Sequence, residues 1–334
     1  MLPSLSIASN PGYPGFFYCQ NCDTFISCPV VKIRETAEQL NSNTRISTTG
    51  MIIDGKKIAE EINIETKKLL NGAELRLAAV FVGDDAGSRR FLELKKVAAE
   101  KLGIDFRLYE FPENITTQKL RKEIVGIAKA GVNDGVIIEL PLPKHINTQY
   151  ILNAVPPEKD PDVLSEKAMG AFFAGRSPVL PPSVEAVKII LEKNNINLSG
   201  KNCVVFGYGI LVGKSVAHWL ASQNATVFII NEFTKNPKQI SINADIIISG
   251  VGKPNLVTAD MVKKGLPPHS SSECGGAVVI DFGFATLNGK MTGDVDFENV
   301  EKIASLITPV PGGVGPIVTA SVLRNLVLLN KKAA

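Results

Sequence analysis

From Met51 onward, short apolar runs alternate with amphipathic helical patterns, and few architectures accept such an alternation. The apolar runs are LAAVFVG, GIDFRLYEF, DGVIIELPLP, CVVFG, ATVFIIN, ADIIISGVG and AVVIDFG. Helical patterns lie between them, in SRRFLELKKVAAEKLG, in TTQKLRKEIVGIAKA and after the proline-rich PVLPPSVEAVKIIL. Gly103 stops the first, Thr116 or Thr117 opens the second, and a last helix follows TPVPGGVGP. Strands that alternate with helices predict a mostly parallel α/β sheet. Two such series, divided by prolines, predict two α/β domains flanking a cleft, and a ligand belongs in that cleft.

Composition excludes several classes. The 334 residues carry 36 basic and 33 acidic side chains, interspersed, with a net charge of +3. No basic stripe interleaved with aromatics appears, so nucleic acid is not the expected partner. No apolar run reaches the roughly 18 residues of a membrane span. Five cysteines in a chain this long do not make a disulfide framework, which places the protein in a reducing cytoplasm. His145, His218 and His269 are scattered, and no metal is expected. Cys203 lies in a strand and reads as core, and Cys274 reads as an exposed loop residue.

Residues 1–50 differ from the rest, being rich in Pro, Gly, Asn and Ser, with no sustained period and no signal-peptide pattern. They read as a disordered extension or as translation from an upstream start. Cys19, Cys22 and Cys28 make three-quarters of a zinc site without a clear fourth ligand, and no function is assigned to them.

In VVFGYGILVGKSVAHWL, a strand runs into Gly207, Gly209 and Gly213, and a helix follows at once. The GxGxxxG spacing is one residue longer than the usual dinucleotide fingerprint, and an ordinary strand-to-helix turn is the plain alternative. Glycines there let backbone N–H groups approach a pyrophosphate at the positive end of the helix. The next strand ends in Asn231 and Glu232. A carboxylate at that place accepts hydrogen bonds from a ribose 2′-hydroxyl and repels a 2′-phosphate. Tyr208 stands between the glycines and Lys235 is the nearby cation, so NAD is expected rather than NADP. The alternative is a Glu232 that simply faces water. Gly250 and Gly252 complete the expected cofactor set, and Lys253 beside them reads as a solvated lysine.

Ser88, Phe91 and Lys95 share one helical face just after the VGDD turn. A ring and a lysine one turn apart can stack a flat ligand and handle its protons, although periodicity alone favours a core Phe91 and a solvated Lys95. Glu139 is the one ionisable residue in GVIIELPLP, costly there unless paired, and Lys95 is the proposed partner. Asp160 and Asp162 form a polar turn entering the same region.

VGDDAGSRRFLELKK, DGVIIELPLP, PPEKDPDV, the strand–GxGxxxG–helix unit and above all TPVPGGVGP resemble the bifunctional methylenetetrahydrofolate dehydrogenase/methenyltetrahydrofolate cyclohydrolase family, from about Met51 to the end. The resemblance implies a folate-binding domain at 51–185, a Rossmann-type doubly wound domain at 186–316, a last helix (317–334) returning to the first domain, and a homodimer. It implies a tetrahydrofolate-borne substrate, with Lys95, Glu139 and Asp162 as catalytic residues and Phe91, Ser88, Pro311, Gly312 and Gly313 as substrate contacts. Four positions depart from the family pattern. Phe91 replaces a tyrosine, Glu139 a glutamine, Val163 a glycine, and Tyr208 an arginine able to hold a 2′-phosphate. The implied activity is oxidation of 5,10-methylenetetrahydrofolate by hydride transfer. A glutamate beside Lys95 favours its ammonium form, so the hydrolysis of the methenyl product is expected to be weak or absent. Phe91, Glu139 and Val163 cluster in one presumed pocket. Two other readings therefore stand beside the first: a different pterin or non-folate substrate, or a non-catalytic homologue that binds nucleotide or folate.

Overall fold

The computed structural model describes residues 51–129, 131–265, 275–287 and 290–331, and the backbone of two strands in the N-terminal extension. Those two, β1 (Phe16–Cys19) and β2 (Thr24–Ser27), form an antiparallel pair with Phe16 opposite Ser27. The sequence reading assigned no strand there. Cys22, Cys28, His269 and Cys274 lie outside the described residues.

The body runs β3 (Met51–Ile52), α1 (Gly55–Leu70), β4 (Arg76–Val82), α2 (Ala86–Leu102), β5 (Asp105–Phe111), α3 (Thr117–Ile127), β6 (Gly135–Ile138), α4 (Thr148–Leu152) and α5 (Glu166–Phe173). Then follow α6 (Pro182–Lys193), β7 (Asn202–Phe206), α7 (Gly213–Ser222), β8 (Thr226–Ile230), α8 (Pro237–Ser241), β9 (Ile246–Ser249) and β10 (Val278–Asp281). A hairpin, β11 (Ala285–Leu287) and β12 (Lys290–Thr292), precedes α9 (Phe297–Val300), β13 (Leu306–Ile307) and α10 (Val314–Asn330).

The strands form two parallel sheets, as the alternation predicts. The first has the order β5-β4-β6, and the second β3-β13-β10-β9-β7-β8. In the second, the order reverses between β7 and β9, where the chain crosses from one half to the other. Loops leaving the carboxyl ends of those neighbours bound the crevice where α/β sheets bind ligands. β4 is apolar on both faces, because it is the central strand of a parallel sheet covered on both sides.

Local chemistry sets the helix ends. Asp54 caps α1 by accepting from the amides of Lys56 and Lys57, both at 3.1 Å. Asp85 caps α2 through the Ser88 amide at 2.7 Å. Thr116 caps α3, and Gly103 ends α2 at φ 84°, in the left-handed region that glycine enters without strain.

Two features escape the sequence reading. Met51 and Ile52 pair with Leu306 and Ile307, so the second sheet takes its edge strand from residues that pattern alone groups with the first. A two-residue strand leaves no period to read. The last helix begins at Val314, three residues earlier than expected, and it belongs to two cores at once. Val314, Ile317 and Ala320 pack with β7, β9 and α6, whereas Val322, Leu323, Leu326 and Val327 pack under β4 and α2.

Candidate functional site

In the first sheet the chemistry gathers at the carboxyl end of the strands. Glu139 directly follows β6, and its amide donates to the Val80 carbonyl of β4 at 2.9 Å, which holds the residue in the sheet plane. Its side chain, 7% exposed, meets the Lys95 ammonium from α2 at 2.7 Å. The pairing expected from sequence is present. Burial works against the charge on Lys95, but Glu139 and then Asp162 outweigh it and hold the amine above its ordinary value.

Asp162 completes the cluster. Burial pushes its carboxyl up to about 7; Lys95 pulls it down, and the charges of Asp160 and Glu139 push it further up. Asp160 shapes the turn rather than facing a ligand. Its carboxylate accepts the Leu164 amide at 3.0 Å and the Ser165 amide at 2.8 Å. The Asn325 side chain of α10 donates to the Pro161 carbonyl at 2.9 Å and pins the turn from the other side. Val163 keeps a left-handed backbone, φ 57°, although it is β-branched. That conformation is strained for valine, and it persists because the side chain is buried in the core.

Ser88, buried, and Phe91, half-buried, lie on the α2 face that carries Lys95. The Pro311–Gly313 segment folds onto the start of α1. The Gly55 amide donates to the Gly312 carbonyl at 3.0 Å, and Gly312 has φ 99°. A Cβ at Gly55 would lie 1.6 Å from the Gly313 oxygen, so only glycine allows this approach.

The second sheet holds the glycine loops together. Gly207 has φ 89°, and a Cβ on Gly213 would lie 2.2 Å from the Gly207 oxygen. Those two positions require glycine, and they form a bare backbone cradle at the start of α7, the kind that fits a pyrophosphate. Gly209 is different. A Cβ there would meet nothing within 4 Å, so close packing does not demand its lack of a side chain. Gly250 abuts the Val212 side chain and Gly252 has φ 79°. Tyr208 is exposed, and Glu232 is exposed just past β8.

Three further residues shape these loops, two of them without a clear local signal in the sequence. Lys214 places its ammonium 5.9 Å from the centre of the Tyr208 ring, so Lys235 is not the only cation near the loop. Asp294, fully buried, accepts from the Ser249 hydroxyl at 2.6 Å and from the Val251 and Lys253 amides at 2.7 Å each. It therefore sets the Gly250–Lys253 loop. Asp281 accepts the Gly283, Asp294 and Val295 amides at 2.7, 3.2 and 3.0 Å, and burial raises its carboxyl to about 6 despite them. A signal for Asp281 was present. It is an ionisable residue ending an apolar run, as Glu139 is. Cys203 is buried core, as expected, and burial pushes its thiol up to about 12. His145 meets the Ile115 carbonyl at 3.0 Å, and His218 packs edge-on against Phe172 and Phe173.

The raised carboxyl of Asp162 has a consequence for stability. The folded state binds its proton more tightly than the unfolded chain does, so the contribution is full below about pH 4 and is lost as pH rises to about 7. Asp162→Asn removes that titration. Thermal melts between pH 5 and 8 should fall less steeply in the variant than in the wild type; parallel curves would contradict the assignment.

Residues 53–162 match the family described as tetrahydrofolate dehydrogenase/cyclohydrolase, catalytic domain, and residues 181–334 match its NAD(P)-binding domain. The chain is 42% identical over 289 residues to the bifunctional protein FolD of Nautilia profundicola, covering 85% of this chain and 98% of that protein. The crystal structure of the bifunctional FolD dehydrogenase/cyclohydrolase from Campylobacter jejuni superposes with a TM-score of 0.76 at 36% identity, covering 83% of this chain and 97% of that one. The Trypanosoma brucei dehydrogenase-cyclohydrolase, complexed with NADP cofactor and inhibitor, gives 0.77 at 29% identity, covering 84% and 97%. These likenesses do not favour a different substrate or a non-catalytic role. The chain belongs to the tetrahydrofolate dehydrogenase/cyclohydrolase family.

Proposed function

We propose that 5,10-methylenetetrahydrofolate binds against Ser88, Phe91 and Pro311–Gly313, beside Lys95, Glu139 and Asp162, and that NAD binds along Gly207–Gly213, Glu232, Gly250 and Gly252. In this reading residues 51–185, with the last helix, form the folate lobe, and 186–316 form the nucleotide lobe. The observation that carries it is the part-buried Lys95–Glu139 pair, with Asp162, at the carboxyl end of the first sheet. As a member of this family the protein is a methylenetetrahydrofolate dehydrogenase.

Bound nicotinamide supplies the hydride acceptor. The methylene C–H bond breaks with its electron pair, and the adjacent folate nitrogens share the positive charge left on carbon, so this half needs alignment rather than a base. Phe91 supplies a face for the flat ring, and the glycine loops let the backbone close on the phosphates. Hydrolysis of the methenyl product makes a different demand. Water adds to the cationic carbon and loses a proton, and then a C–N bond breaks as its nitrogen takes a proton up. Neutral Lys95 is suited to moving those protons, but an ammonium held by Glu139 accepts none. The relatives are bifunctional by name. In this chain hydrolysis is the slower half, limited by the ion pair.

The cofactor preference rests on Glu232, which repels a 2′-phosphate, against the opposing charge of Lys214. A homodimer and a cytoplasmic location complete the proposal. The location rests on cysteine usage. β5 is an edge strand with an open side, and Leu108 and Val132 are exposed along the groove between it and α3. That face suits a second copy of the chain.

Three experiments test this. Turnover of 5,10-methylenetetrahydrofolate, followed by absorbance of the reduced nicotinamide, should be faster with NAD than with NADP; a preference for NADP would remove the role given to Glu232. Glu139→Gln should raise hydrolysis relative to hydride transfer on the order of tenfold, and an unchanged ratio would refute the ion-pair account. Leu108→Glu should shift the sedimentation coefficient from dimer to monomer, whereas a wild-type monomer would end the dimer proposal.

A further inference from the structure

Phe284 stands in the turn between β10 and β11, and nothing in the sequence singles it out. Its ring lies 4.4 Å from that of Phe91, centre to centre, with the planes at 69°, an edge-to-face contact. Both rings are half-buried, so the pair belongs to neither core. The backbone below Phe284 is held firmly. The Phe282 amide donates to the Ser249 carbonyl at 2.7 Å, and the Gly283 amide donates to Asp281 at 2.7 Å. A Cβ at Gly252 would lie 3.5 Å from the Phe284 carbonyl oxygen, and a Cβ at Gly87 would lie 3.5 Å from its Cε1. The residue therefore borders the cofactor loop with its backbone and the first turn of α2 with its ring.

We infer that Phe284 is a substrate-positioning residue. It buttresses Phe91, so that the Phe91 face is presented in one orientation to a flat heteroaromatic ring. This rests on the reading of Phe91 as the ring that stacks on folate. An edge-to-face partner restricts the rotation of the ring it touches. Phe91 without that partner must be ordered by the substrate itself, at the expense of affinity. Because Phe284 is mounted on the Asp281–Ser249 scaffold, the orientation of Phe91 is referred to the nucleotide sheet, which hydride transfer requires.

The test uses full-length protein and separate calorimetric titrations with tetrahydrofolate and with NAD. Phe284→Leu keeps apolar bulk and removes the aromatic edge. It should weaken tetrahydrofolate binding by about tenfold, the scale of one aromatic pair, and leave NAD binding within about twofold, which also reports that the variant is folded. Phe284→Tyr should restore tetrahydrofolate binding. Tetrahydrofolate binding as tight as, or tighter than, that of the wild type in Phe284→Leu would overturn the inference and make the ring a mere plug. Parallel loss of both ligands would overturn it as well, leaving a structural role. Wild-type protein that binds NAD but not tetrahydrofolate would overturn the folate reading itself and this inference with it.

Discussion

Helix α10 is buried in two hydrophobic cores, and the geometry of both sheets depends on that sharing. Its first two turns pack with Val205, Ile248 and Ile190, and its later turns with Leu77, Phe81 and Leu92. Asn325, on the same helix, carries polar tethers to Pro161 and to Leu180. The Glu185–Arg324 ion pair joins α10 to α6 at 2.6 Å. A helix that serves two cores cannot shift without cost to both, because close-packed interiors transmit strain rather than absorb it. The Pro311–Gly313 segment leads directly into its first turn, so the glycines proposed to contact substrate sit at the head of a helix packed into both cores.

Charge burial is the second organising constraint. Buried Glu139 is paired by half-buried Lys95, and a carboxylate there would be costly alone. Burial raises the Asp162 carboxyl to about 7 against the pull of Lys95, and the charges of Asp160 and Glu139 add to the rise. The nucleotide sheet handles its buried acids differently. Asp294 and Asp281 take backbone amides as partners, so their charge orders loops instead of pairing with a cation. The same residue type thus joins a charge cluster in one sheet and a loop scaffold in the other.

Much of this was legible in the sequence. The parallel α/β class, the helix ends at Gly103 and Thr116, the glycine turn after β7 and the Lys95–Glu139 pairing follow from periodicity, turn chemistry and the cost of an unpaired carboxylate. The unread features share one physical character. β3 is too short to show a period. Lys214 falls in a helix pattern, which does not show a charge near the Tyr208 ring. Asp294 follows a glycine in a run with no strong period, and its partners lie more than forty residues away. Spacing groups Gly209 with Gly207 and Gly213, although a Cβ at Gly209 would meet nothing within 4 Å.

The sequence by itself determined the kinds of element, their order, the glycines a tight strand-to-helix turn needs, and the presence of a charge that had to find a partner. These are local properties, set by periods of two and of 3.6 residues and by single-residue conformational limits. The tertiary structure decided which side chains meet. Lys95 and Glu139 are 44 residues apart in the chain, and the ring of Phe91 on α2 meets that of Phe284 from the turn between β10 and β11. Such contacts depend on the path of the whole chain and on the helix that both cores share, and no local pattern encodes them.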